Sequence, residues 1–503
     1  MKILPTFLLA PAALALGGIC SALTPGFAPT GFLDDDEEDE AAVAEEVEEE
    51  EGPHWLLLEG GDIFTGTGAV LRGADLLSKD GIIEEIGYDF WVPEDAERID
   101  CSGLRLYPGM VALSATSRVT QGSFAPAGEV EQPGYDPSLD VPAEDGVDIW
   151  DFDAIDAAAA MTEAESRIAE AYDPFSTYLI LTLAAGITTV EQSNAAVKLR
   201  RYEIKDVVMR EGFLISLSYS TADSRRRTRA DFALASTYLR DFRAWEEGGK
   251  DGDEPSKKGV NSSVLKILMG DGRAKFNADD RDELLAIARL AQEFGFRPVI
   301  EGCREGWVVA DELGRAGATA IVSPRDRRWK DELQVADGGS SIENAAILHA
   351  AGVQVAVEPL SGSIDLGGIA GRDLLHLNID AGFAIRGGLS EQAGLEAVTI
   401  VPARVMGVDH RVGSLEVGKD ADVLVTDGDL LHYETFVQYA VVGGKLAYEK
   451  SEELFYAHIR PLPEREVVEA SQEGDVEVED ADDEGDDEDG DDDGDEDEDE
   501  DED

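Results

Sequence analysis

Between about residues 110 and 360, short β-rich runs alternate with amphipathic stretches, and this alternation restricts the fold more than any other feature of the chain. A strand, a helix and a second parallel strand form a crossover unit, so repeated units imply a parallel sheet covered by helices. The readable strands are 110–115, 187–192, 214–220, 264–270, 297–302, 318–324 and 353–359. They number seven, one short of a closed eight-stranded barrel, and the place of the eighth is not legible. The clearest helix is 280–293, where Leu284, Leu285, Ile287, Ala288 and Leu290 form one apolar face before Gly295 ends it.

Short strands flank this region on both sides. Upstream, runs from Trp55 to Gly68 and from Ala74 to Gly87 are punctuated by glycine, and Asp80-Gly81 is a hairpin signal. Downstream, Val423 to Thr426 reads as a strand, and Gly443-Gly444 turns the run from Val441 to Tyr448.

The chain enters the barrel through Tyr107-Pro-Gly-Met-Val-Ala-Leu-Ser-Ala-Thr-Ser-Arg118. This stretch resembles the amidohydrolase superfamily signature, Pro-Gly-hydrophobic-hydrophobic-Asp-x-His-x-His, whose histidines hold a catalytic metal. Here Ala112, Ser114 and Thr116 stand at the Asp, His and His positions. The stretch from Leu389 to Gly428, with its Gly418-Lys-Asp-Ala-Asp turn, resembles the closing segment of the same family, and the likeness spans residues 54–450. It implies an α/β fold with a TIM-like (β/α)8 barrel and a small β-sandwich built from N- and C-terminal segments. It also implies hydrolysis of non-peptide carbon–nitrogen bonds at a zinc centre. In the family an aspartate follows a run like Gly352-Val-Gln-Val-Ala-Val-Glu-Pro, and Leu360 takes its place here.

An un-ionised hydroxyl is a poor substitute for imidazole on zinc, so the signature's frame is present without its metal chemistry. The six histidines, at 54, 349, 376, 410, 432 and 458, end none of the readable strands. The strand ends carry acid instead: Glu191, Asp271, Glu301 and Glu358 are pocket candidates, with Ser114, Thr116 and Lys266 beside them. Such a set suits a hard cation, or acid–base chemistry on water without a metal. In an acidic chain some carboxylates also fall at strand ends by composition alone.

Lys and Arg total 42 against 108 Asp and Glu, a net charge of −66. Thirteen of the acids lie in residues 34–51 and 24 in residues 473–503, which leaves the body itself acidic. Nucleic acid and anionic lipid are therefore poor partners. The terminal acidic stretches read as disordered, and the last one suits weak calcium binding. Residues 1–22 have the basic start, apolar run and small-residue exit of a secretory signal, which predicts export to the periplasm, cell surface or exterior. No later segment is long and apolar enough to span a bilayer. Cys101 and Cys303 read as two buried small hydrophobes rather than a disulfide. The cluster Arg225-Arg-Arg-Thr-Arg229 reads as a solvated helix start.

The expected organisation is a signal (1–22), an acidic linker (23–52) and a first sandwich part (53–107). A barrel (108–405) with a lid insertion (121–153), a second sandwich part (406–450) and an acidic tail (451–503) follow. Three functions are open. The first is an amidohydrolase-like protein without metal catalysis and without a cofactor, retained for binding a small molecule or protein at the barrel mouth, alone or as a homo-oligomer. The second is a carbon–nitrogen hydrolase rebuilt on carboxylates. The third is a surface polyanion acting through its tails.

Overall fold

The computed structural model describes residues 52–121, 168–327, 338–364 and 372–453, all but Gly52 within one compact unit, Pro53–Asp503. The signal, nearly all of both acidic segments, and the lid insertion beyond residue 121 lie outside the described residues. Among the described residues no helix is long and apolar enough to cross a membrane.

The chain opens with β1 (Trp55–Phe64), β2 (Val70–Lys79), β3 (Ile82–Gly87), β4 (Glu97–Asp100) and β5 (Arg105–Pro108). Asp80 and Gly81 turn β2 into β3 with φ of 50° and 86°, the left-handed pair that a two-residue hairpin requires. Beyond β5, Gly109 is needed for space, because a Cβ there would sit 1.9 Å from Thr188 Oγ1.

The barrel follows: β6 (Met110–Ala112), β7 (Ile187–Gln192), a ribbon of β8 (Ala195–Lys198) and β9 (Val208–Glu211), then β10 (Leu214–Ser216), β11 (Arg273–Ala278), β12 (Val299–Gly302), β13 (Thr319–Val322) and β14 (Gln354–Val357). β6 and β7 are parallel, and β10 to β14 form a second, wholly parallel sheet in chain order. Finally β15 (Val423–Thr426), β16 (Val437–Val442) and β17 (Lys445–Glu449) return to the first sheet, β15 pairing antiparallel with β5. The composite domain is thus built from both ends of the chain, and its interior mixes Leu56, Leu76 and Ile83 with Val423, Val425 and Val441.

Among the described residues, two seams link the barrel sheets without further strands. Between β7 and β10 the Asn194 side-chain amide donates to the Leu214 carbonyl and accepts from the Leu214 N–H, each at 2.8 Å. Between β14 and β6, the Val111 N–H donates to the Val398 carbonyl at 2.8 Å and the Thr116 N–H to the Gly362 carbonyl at 3.0 Å. Val398 lies between the helices Glu391–Ala397 and Ile400–Met406. This short link stands where an eighth strand is expected.

One predicted strand is a helix. Of residues 264–270, all but the last fall in the helix Ser262–Met269, capped by the Asn261 side chain, which accepts from the Ser263 and Val264 N–H groups, and ended by Gly270 at φ 89°. The fourth barrel strand is β11, further on. The predicted 280–293 helix is Arg281–Phe294; Leu284, Ile287, Ala288, Leu290 and Ala291 are buried while Leu285 is only half-buried. Each fully buried Leu or Ile contributes about 1.5–3 kcal/mol. The arginine cluster opens the helix Ala222–Glu247, where Arg226 and Arg227 pair with Asp223 and Arg229 with Glu293.

Strand alternation sorts the barrel into two layers. Phe276, Ile300, Ala320 and Val355 pack outward against helix residues such as Leu284, Ile287 and Leu348. Val111, Val299, Ile321 and Ala356 pack inward on Val401, Val405 and Met406, forming the floor of the interior. Barrel and composite domain are joined by a buried ionic knot: Lys198 on β8, fully enclosed, reaches Asp420 and, at 3.0 Å, Asp422, while Arg411 also binds Asp420. Cys101 and Cys303 are both free and buried, and burial pushes each thiol up to about 12.

Candidate functional site

The same alternation decides what faces the barrel mouth. Two residues above the floor positions Val299, Ile321 and Ala356 stand Glu301, Ser323 and Glu358, which belong to one interior layer at the carboxyl ends of β12, β13 and β14. Lys275, on β11, lies between outward-packed Ala274 and Phe276 and so shares this interior face.

The side chains meet. Lys275 Nζ is 3.0 Å from Glu301 Oε2, with the two side chains 19% and 22% exposed. Ser114 Oγ donates to Glu301 Oε1 at 3.5 Å, and Ser323 Oγ donates to Glu358 Oε1 at 3.5 Å. Burial, reinforced by the Glu301 charge, pushes Glu358 up to about 7, with Lys275 and the hydroxyls of Ser323 and Ser114 acting the other way. At neutral pH the layer therefore holds one ion pair and one carboxyl poised between acid and anion.

Ser114 reaches this layer through a left-handed backbone, φ 61°, and its N–H donates to Glu191 Oε2 at 3.0 Å. The other Glu191 oxygen accepts the Asn194 N–H at 2.7 Å. Glu191 therefore fastens the ends of β6 and β7 together.

The structure brings Ser114, Glu301 and Glu358 into one site and places Glu191 beside them. It does not bring in the other sequence-based candidates. Lys266 is exposed on the Ser262–Met269 helix, because the run that carries it is not a strand. Asp271 is exposed in the loop before β11, at the opposite end of the barrel from the mouth, for the same reason. Thr116 and Leu360 are exposed beyond the ends of β6 and β14.

Lys275 and Ser323 are the members that sequence reasoning missed. The alternation of Arg273-Ala-Lys-Phe-Asn-Ala278 was the available signal for Lys275. At the rim beside them, Arg304 pairs with Asp279 at 3.0 Å and Asp326 at 2.7 Å. Burial pushes Asp279 up, and its Oδ1 takes the space where Gly302 would carry a Cβ, 2.4 Å away.

The donor set of this layer is hydroxyl, ammonium and carboxylate. Zinc asks for lone pairs from imidazole, thiolate or carboxylate, whereas an ammonium offers none and repels a second cation. Among the described residues no three His, Cys, Asp or Glu side chains are placed to hold a metal ion. His54 and His376 pair with Glu97 and Asp373, His432 stacks on Tyr433, and His349 and His410 lie on an outer helix and in a turn. The described residues of this layer, with an ammonium among them, do not fit a transition-metal centre.

Residues 334–456 match the model of the amidohydrolase family. A solved amidohydrolase from Thermotoga maritima MSB8 superimposes with a TM-score of 0.55 at 21% identity, covering 78% of this chain and all of that one. The chain has the amidohydrolase fold. A curated protein with a sequence match, N-acetylglucosamine-6-phosphate deacetylase of Danio rerio, is 44% identical over 50 residues, 10% of this chain and 12% of that protein. The amidohydrolase fold accounts for the seven staves, the composite sheet and the position of the mouth.

Proposed function

We propose that this protein is an exported member of the amidohydrolase superfamily, related to enzymes that hydrolyse non-peptide carbon–nitrogen bonds, whose barrel mouth binds a small molecule or protein without metal-dependent catalysis. The observation that carries this reading is the composition of the interior layer, Ser114, Lys275, Glu301, Ser323 and Glu358, in which hydroxyls and an ion pair stand where a metal centre needs free lone pairs. The experiment is turnover of cyclic amides and N-acyl compounds by the purified chain with and without added zinc. Zinc-independent silence across the panel fits the proposal. Hydrolysis that rises with zinc and falls with a chelator defeats it.

A second reading has one observation in its favour. Glu358, raised to about 7, is a carboxyl able to give and take a proton near neutrality, as a metal-free hydrolase rebuilt on carboxylates requires. Hydrolysis that is indifferent to zinc and lost in Glu358→Gln would establish it.

A further inference from the structure

We infer that the Lys275 ammonium is the resident cation of the barrel mouth, a covalently built-in positive charge occupying the place of a divalent ion. This rests on the reading above that the mouth does not hold a metal, and it adds the group that replaces one. The ammonium is not a surface charge that happens to point inward. It rises from β11, whose alternate residues Ala274, Phe276 and Ala278 are locked against the helical layer, so its stem has only the interior to enter.

At the top of that stem Nζ meets Glu301 from the neighbouring strand at 3.0 Å. The second oxygen of Glu301 accepts the Ser114 hydroxyl, so strands β11 and β12 and the end of β6 converge on one carboxylate. Glu358 faces the same point from β14, only 9% exposed, and feels Glu301 as a like charge and Lys275 as an opposite one.

Among the described residues, the other groups around the ammonium leave no second cation free to serve the two carboxylates. Glu191 has both oxygens taken by backbone N–H groups, Ser323 offers a hydroxyl, and Arg304 at the rim is engaged by Asp279 and Asp326. Two carboxylates facing one enclosed point need a positive charge nearby or must bind protons. Lys275 meets that need, and a divalent ion in the same few ångströms would be repelled by it.

The test uses the full-length chain and three variants, Lys275→Met, Lys275→Arg, and Lys275→Met combined with Glu301→Gln. Thermal unfolding is followed with a chelator and with added manganese or zinc, and metal content is measured after dialysis, which strips weakly held ions from the acidic tail. The wild-type melting temperature is expected to be the same in chelator and metal, with no stoichiometric ion retained. Lys275→Met is expected to melt several degrees lower and to regain most of that loss in manganese, since Glu301 and Glu358 are then left facing each other. The double variant, with the charge and its partner both removed, is expected to melt near wild type and ignore manganese. Lys275→Arg keeps a cation and is expected to behave like wild type, which keeps the test open if Lys275→Met does not fold.

A wild-type chain that retains one metal ion overturns the inference. So does a carbon dioxide adduct on Lys275 seen by mass spectrometry, or a Lys275→Met that neither loses stability nor responds to metal. Zinc-independent hydrolysis by the wild type would defeat the binding-only reading and leave Lys275 as the cation intact.

Discussion

Lys275 and Glu301 sit on adjacent parallel strands but not at the same level: Glu301 lies beside Asn277, two residues above Lys275, so the lysine stem climbs the interior wall to place Nζ 3.0 Å from the carboxylate. That climb puts a fixed charge inside the mouth. Ser114 and Glu358 take their places around it, and the behaviour of Glu358 is the first consequence.

Glu358 is raised from an ordinary carboxyl value of 4.5 to about 7. A carboxyl raised on folding stabilises the native state while it is protonated. Its contribution is fully present below about 4.5 and is lost as pH climbs through about 7. Glu358→Gln, which stays neutral, is expected to remove this slope and to exceed wild type in stability above pH 7 by roughly 3 kcal/mol at most. Urea unfolding from pH 4 to pH 9 measures it, and parallel curves for the two proteins would show that Glu358 is not titrating there.

The Glu301 charge is one cause of that elevation, and it also holds the ammonium that works against it. Glu301→Gln removes the like charge and frees Lys275 to face Glu358. The Glu358 midpoint is expected to fall below its wild-type position, readable by carbon-13 NMR of the carboxyl group. A midpoint that rises or stays put would contradict the arrangement.

The knot between barrel and composite domain has its own signature. Burial works to raise Asp420, but Lys198 and Arg411 override it and hold the carboxyl below its ordinary range. That stabilisation is present above pH 3.8 and is lost as pH falls through the lowered value. Lys198→Met leaves Asp422 and Asp420 enclosed without their central cation and is expected to cost about 3–5 kcal/mol. Adding Asp422→Asn should recover part of the loss in denaturant titration. Strict additivity of the two changes would mean the pair is not coupled.

Gly109 is held by contact rather than by conformation, with Thr188 Oγ1 1.9 Å from where a Cβ would lie. Gly109→Ala is expected to destabilise by about 1–3 kcal/mol through overpacking at the entry to the barrel. Gly109→Ala combined with Thr188→Ala, which removes both Oγ1 and the Cγ2 methyl that crowd that Cβ, should be less harmed when melting temperatures are compared.

Glu301 and Glu358 were legible in the sequence because each follows a short apolar run whose alternation fixes the side it faces. The glycine turns at Asp80-Gly81 and Gly443-Gly444 were legible because backbone chemistry there is local. Lys275 was not, because the run Val264-Leu-Lys-Ile-Leu-Met269 has the apolar content of a strand and drew the assignment away from the more polar β11. Its helix caps, Asn261 and Gly270, were the competing signal. The barrel's two seams could not be read at all: one is a single asparagine side chain, the other a link at Val398 between two helices, and neither leaves a periodic trace.

The most direct measurement is an anomalous difference map at the zinc edge from crystals of the full-length chain grown with zinc. The account predicts no peak inside the barrel and an ordered Lys275 ammonium within ion-pair distance of the Glu301 carboxylate. A full-occupancy peak among Ser114, Lys275, Glu301 and Glu358 would contradict it.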